Sequence, residues 1–154
     1  MTWRPGYQRP GDRANRPHPA LNDHFPFLLG EAERSMHGAI DTALSEHGLD
    51  WRTFAILLVV QNVEGLRQSV LAERTRLDRT TVSALVDDLH AEGWLRVEAD
   101  RLDGRRTRIG ATTATAGAVA AGLEAVRAGE QQALRTLRTG ERERLRTLLR
   151  RALS

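Results

Sequence analysis

Cysteine is absent from the 154 residues, which removes disulfides, zinc ribbons, iron–sulfur clusters and thiol-based redox sensing together. Lysine is absent as well, so all 23 basic residues counted as Lys or Arg are arginines. Arginine codons are GC-rich, and a GC-rich bacterial genome accounts for this before any special role for guanidinium groups is needed. No apolar run approaches the roughly 20 residues of a membrane span, the longest being Phe54 to Val60. The first 19 residues hold arginines and prolines but no apolar stretch, which excludes a secretory signal peptide and leads to the expectation of a cytoplasmic protein without a membrane partner. The phosphate-loop, nucleophile-elbow and HExxH signatures are missing, so an enzyme is not expected. His18, His24, His37, His47 and His90 have no tight metal spacing, and neither metal nor cofactor is expected.

What is present is the composition of a soluble globular chain, 40% hydrophobic and 28% charged, of one-domain length. The net charge of +3 conceals a segregation: −5 over residues 20–65, near neutrality over 66–110, and +5 over 127–154. Residues 1–19 read as a flexible basic arm. Apolar residues then recur at helical spacing from Phe25 to Leu44, after Asn22 or Asp23 as cap and before Gly48 as stop. Asp50 is placed to cap a second, largely apolar helix from Trp51 to about Gln61. A third helix is expected over Leu66 to Arg74. It is followed by the turn Thr75, Arg76, Leu77 and by Asp78 as cap of a fourth helix, Arg79 to Ala91. Gly93 ends that helix, and Trp94 to Glu98 alternate as a strand. Asp100 to Arg106 then form a hairpin tip and Thr107 to Thr113 the returning strand. The last third reads as a long helix, a break at Thr139 and Gly140, and a final amphipathic helix.

A helix-turn-helix followed by a β-hairpin is a winged helix. The run Leu71-Ala72-Glu73-Arg74, then Leu77-Asp78-Arg79-Thr80-Thr81-Val82-Ser83, Leu89, Gly93, Leu95 and Asp103-Gly104-Arg105-Arg106 resembles the MarR family of bacterial transcriptional regulators. The likeness is ungapped from Leu71 to Arg106 and extends through the flanking helices from about Leu21. Three positions depart from the family pattern. Arg76 stands where glycine is usual, Val97 where a basic residue is frequent, and Ala111, Thr112 and Thr113 precede Gly117 at a longer interval than usual. The fold class expected is mainly α with a small β-hairpin wing: a winged helix-turn-helix over 50–113, flanked by dimerisation helices over 20–48 and 114–154.

A helix in the major groove presents its N-terminal residues to base edges, which nominates Arg79, Thr80, Thr81, Ser83 and Ala84. Arg67, Gln68 and Ser69 open the preceding helix and are candidates for flanking phosphates. In the wing, Arg101, Arg105, Arg106 and Arg108 are candidates for groove or phosphate contacts, and the resemblance implies that Asp103 and Arg105 also brace the hairpin. Phe25, Phe27, Leu28 and Leu29 at one end, and Leu145, Leu148, Leu149 and Leu153 at the other, form stripes suited to a homodimer. The resemblance further implies a pocket for a small aromatic or anionic effector, with Met36, His37, Trp51, Arg52 and Phe54 in segments able to line it. The expected function is a sequence-specific regulator of transcription, a repressor that binds double-stranded DNA as a homodimer at a palindromic site and is released by an effector. The competing reading is a winged helix used for nonspecific DNA compaction or protein interaction.

Overall fold

Burial of one apolar set organises the chain from Ser35 onward. Phe54, Ile56, Leu57 and Val60 from one helix meet Leu71, Val82, Val86, Leu89, Leu95 and Ile109 from the segments after it, and all are buried. The computed structural model describes residues 19–99 and 107–154. Its elements are α1 (Phe25–Ser45), α2 (Trp51–Asn62), α3 (Gln68–Thr75), α4 (Arg79–Ala91), β1 (Leu95–Ala99), β2 (Thr107–Ala111), α5 (Thr113–Ala133) and α6 (Thr139–Ala152). The order is that of a winged helix, mainly α with one two-stranded antiparallel hairpin. Two compact units divide at Arg34: the first ends there, and the second runs from Ser35 to Ser154. Among the described residues no helix is long and apolar enough to cross a membrane.

Local chemistry sets most of the helix limits. Gly48 takes φ +69°, its N–H donates to the Ser45 carbonyl and the Leu49 N–H to that of Leu44, a Schellman stop for α1 sealed by buried Leu49. Gly93, at φ +79°, ends α4 in the same way, with bonds to His90 and Leu89. Asp50 accepts the Thr53 N–H at 2.7 Å as N-cap of α2, as its position in the sequence suggests. A second carboxylate joins it: Asp41 of α1 accepts the Trp51 N–H at 2.8 Å. Thr112 caps α5, and the hydroxyls of Thr112 and buried Thr115 both donate to the Trp94 carbonyl, which pins the start of α5 to the start of the wing.

Four boundaries differ from the sequence reading. Asn22 and Asp23 do not cap α1: Pro19–Leu21 forms a short 3-10 turn, and α1 begins at Phe25. Leu66 does not begin α3 but exchanges backbone hydrogen bonds with Ile109, at 3.0 and 2.8 Å, adding a one-residue bridge to the wing. The returning strand stops at Ala111, because Thr112 serves as the cap of α5. Thr139 and Gly140 lie inside α6, whose first turn is held by Glu141 accepting the Arg138 N–H at 2.7 Å. The break falls earlier, between Ala133 and Thr139.

Two glycines of α5 allow close packing that their helical context does not advertise. A Cβ on Gly122 would lie 2.4 Å from the Phe54 ring, and one on Gly129 would lie 2.6 Å from Cα of Ile40 on α1. At Gly129 the obstacle includes α1 backbone, which no side-chain rotation relieves. By intrinsic propensity Gly→Ala in a helix gains about 1 kcal/mol. Gly129→Ala is expected to reverse that sign and cost about 1–3 kcal/mol through overpacking. Gly117→Ala, where a Cβ meets nothing within 4 Å, is expected to stabilise. Urea unfolding of the two variants checks the opposition, and equal effects would overturn it.

Candidate nucleic-acid interface

The helix-turn-helix is built on α4. Val82, Val86 and Leu89 point into the core and fix the rotation of the helix, which leaves Arg79, Thr80 and Ala84 exposed and Thr81, Ser83 and Leu85 partly covered. Asp78 caps it: one carboxylate oxygen accepts the Thr81 N–H at 2.9 Å and the other accepts the Thr81 hydroxyl. Those two bonds, the hydroxyl first, hold the Asp78 carboxyl below its ordinary pKa, so it stays ionised. They also commit the Thr81 hydroxyl proton, which is then not offered to a ligand.

The turn between the helices is where Arg76 departs from glycine. Its backbone is left-handed, φ 56° and ψ 26°, and it is the one non-glycine residue with positive φ among those described. The turn geometry therefore demands a conformation that costs an L-residue about 1 kcal/mol. α3 opens at Arg67, which is exposed and extended (φ −85°, ψ 149°) and makes no side-chain cap bond, with Gln68 partly covered and Ser69 exposed beside it.

In the wing, Leu95 pairs with Ala111, Val97 with Ile109 and Glu98 with Arg108. Ile109 and Leu95 face the core, while Arg96 lies across Gly110, where a Cβ would come 3.0 Å from the guanidinium. Arg96 also pairs with Glu98 at 2.7 Å. Arg108 is partly buried and donates from Nη1 to the Gly65 carbonyl at 3.0 Å, a contact across 43 residues that no local pattern signals. Arg101, Asp103, Arg105 and Arg106 lie outside the described residues.

The residues considered for an effector are split by the fold. Phe54 is 1% exposed and belongs to the core. Trp51 and Met36 are partly covered, and His37 and Arg52 are exposed. The His37 and Trp51 rings lie 5.9 Å apart, and those of Trp51 and Phe54 6.0 Å, so the three rings step from the surface of α1 to the core. Among the described residues no group of three or more His, Asp or Glu gathers to hold a metal.

These features define a winged helix with the helix-turn-helix and hairpin of a DNA-reading head. A family model described as MarR family matches residues 47–106. A probable transcriptional regulator from Pseudomonas aeruginosa is 30% identical with a TM-score of 0.75, over 86% of this chain and 98% of that one. A MarR-family transcriptional regulator from a Rhodococcus species is 26% identical with a TM-score of 0.77, over 86% of this chain and 94% of its own. The HTH-type transcriptional regulator TtmR of Methylorubrum extorquens is 30% identical over 90 residues. That match spans 58% of this chain and 46%, about half, of the length of TtmR. The chain belongs to the MarR family.

Two expectations follow from the helix-turn-helix. Arg76→Gly should relieve the left-handed strain and raise stability by about 1 kcal/mol, a few degrees in thermal melting. An unchanged or lower Tm would contradict the strain. Because the carboxyl of Asp78 has a lowered pKa in the fold, its contribution is complete above the unfolded value and disappears as pH falls through the lower folded one. Melting temperatures of the wild type should therefore fall more steeply than those of Asp78→Asn as pH drops below about 4, and parallel curves would refute the linkage.

Proposed function

We propose that the chain is a sequence-specific DNA-binding regulator of transcription that acts as a homodimer. The observation that carries this reading is the rotation of α4: its apolar side is consumed by the core, and its first two turns offer Arg79, Thr80 and Ala84 outward at the mouth of the helix-turn-helix. Helices of this kind enter the major groove with their N-terminal residues on base edges. In this reading Arg79 reads bases and Thr80 and Ser83 hydrogen-bond to bases or phosphates. Arg67, Gln68 and Ser69 meet the flanking backbone at the start of α3, and Arg101, Arg105 and Arg106 carry the wing contacts, with Asp103 bracing Arg105.

Dimerisation is supported by what each unit leaves outside. In the first unit Phe25 is 80% exposed, and Leu28 and Leu29 are about half exposed. In the second, α6 buries no residue, and Leu148, Leu149 and Leu153 remain open. Apolar stripes at helical spacing on both terminal helices suit a partner copy. A two-fold dimer would set two reading heads at half-sites about 34 Å apart. Release by a small aromatic or anionic effector, and repression as the outcome, belong to the same proposal on the strength of the family resemblance. Trp51 and Met36, with His37 and Arg52, remain the candidate contacts, while Phe54 supports them from the core.

Selection of genomic fragments by the purified protein supplies the operator. Arg79→Ala should then reduce the preference for it over random duplex by about 1–3 kcal/mol. Arg106→Ala should weaken binding to every sequence and lower the salt slope by about one. Binding with a steep salt slope and no preferred fragment would instead favour nonspecific compaction. Separately, Leu148→Glu combined with Leu149→Glu should yield a monomer by sedimentation with reduced operator affinity, and an unchanged sedimentation coefficient would refute the proposed interface.

A further inference from the structure

We infer that Arg108 is a positioning residue that locks the wing to the loop ahead of α3, and that it is not one of the wing's DNA contacts. The sequence groups it with Arg101, Arg105 and Arg106, but its surroundings set it apart. β2 alternates so that Ile109 enters the core and Arg108 lies on the other face, opposite Glu98. From there its Nη1 donates to the Gly65 carbonyl at 3.0 Å, a charge-assisted bond. The stem lies flat on the same residue: a Cβ on Gly65 would come 3.3 Å from Cδ and 3.5 Å from Nη1 of Arg108. Gly65 itself holds φ +66°.

The next pair along, Leu66 and Ile109, exchanges its two backbone hydrogen bonds, and both side chains are buried. The loop is thus held twice in succession, by a side chain at Gly65 and by the backbone at Leu66, immediately before Arg67 and Gln68 begin α3. A guanidinium that swung out to a phosphate would release the Gly65 carbonyl and uncover the glycine. Held in place, it fixes the angle between the wing and the start of α3, two of the three elements assigned to DNA. This inference rests on the DNA-binding reading for its consequence, but the strut itself can be observed without DNA.

The test uses the full chain with Arg108→Gln, and with Gly65→Ala as a second variant that removes no charge. Amide hydrogen exchange at Leu66 and Ile109 should accelerate about tenfold in both, on the scale of one lost charge-assisted bond. Operator affinity should fall about tenfold while the dependence of log Kd on log salt keeps its wild-type slope, since no phosphate contact is lost. A slope reduced by about one in Arg108→Gln, with exchange unchanged, would make Arg108 a phosphate contact and overturn the inference. Should the wild type bind no duplex at all, the DNA reading fails separately. The exchange rates then decide alone: acceleration at both amides upholds the strut and unchanged rates refute it.

Discussion

Two hydrogen bonds between Leu66 and Ile109 tie the reading head together. They join the loop after α2 to the returning strand of the wing, and they do so between two buried side chains. In a domain this small the hairpin has only two strands, and an isolated pair is marginal in water. The bridge at Leu66 supplies a third backbone partner, and Ile109 supplies the apolar anchor between α2, α3 and β1. The threonine pair at the root of the hairpin completes the mounting, because Thr112 and Thr115 fasten the Trp94 carbonyl to the first turn of α5. The hairpin is consequently held at the start of β1 and at the middle of β2.

The parts of this architecture legible in the sequence are those whose cause is local. Asp50 and Asp78 sit one residue ahead of helices and bond three residues along. Gly48 and Gly93 sit just beyond helices and take the left-handed backbone there, so a window of a few residues contains both signal and partner. The same holds for α4, where the spacing of Val82, Val86 and Leu89 alone determines which residues face outward. Leu66 shows the converse. An apolar residue ahead of a helical pattern reads as part of the helix, and only Ile109, 43 residues later, makes it a strand residue. Asp41 capping α2 from α1, and Gly129 admitting the backbone at Ile40, are likewise pairwise facts spread across the chain. Thr139 and Gly140 misled for a different reason. Both are poor helix formers, yet they occupy the first turn of α6, where Glu141 reaching back to the Arg138 N–H matters more than intrinsic propensity.

Charge followed a similar division. The total of +3 is a weak argument for any partner, and the segments argue better than the sum. Arg127 and Arg146 of the basic C-terminal third pair with Glu124, and with Glu130 and Glu143, on exposed surfaces, so part of that charge is spent locally. Exposed pairs of this kind contribute little to stability. Arg146, on the same helix as Leu148 and Leu149, has its charge matched by Glu130 and Glu143.

The two helix starts in the reading head carry opposite electrostatics, and this divides their work. At α4 the positive end of the helix is already occupied, because the Asp78 carboxylate takes the N–H and hydroxyl of Thr81 and stays ionised as a result. A phosphate brought to the axis of α4 would meet a fixed negative charge. In the proposed binding mode DNA approaches this helix along its exposed side, where Arg79, Thr80 and Ala84 stand. At α3 the cap position is Arg67, a positively charged residue where α4 has a carboxylate. The proposed separation of base reading on α4 from backbone positioning on α3 thus follows from one carboxylate, Asp78, and from its absence at the equivalent place eleven residues earlier.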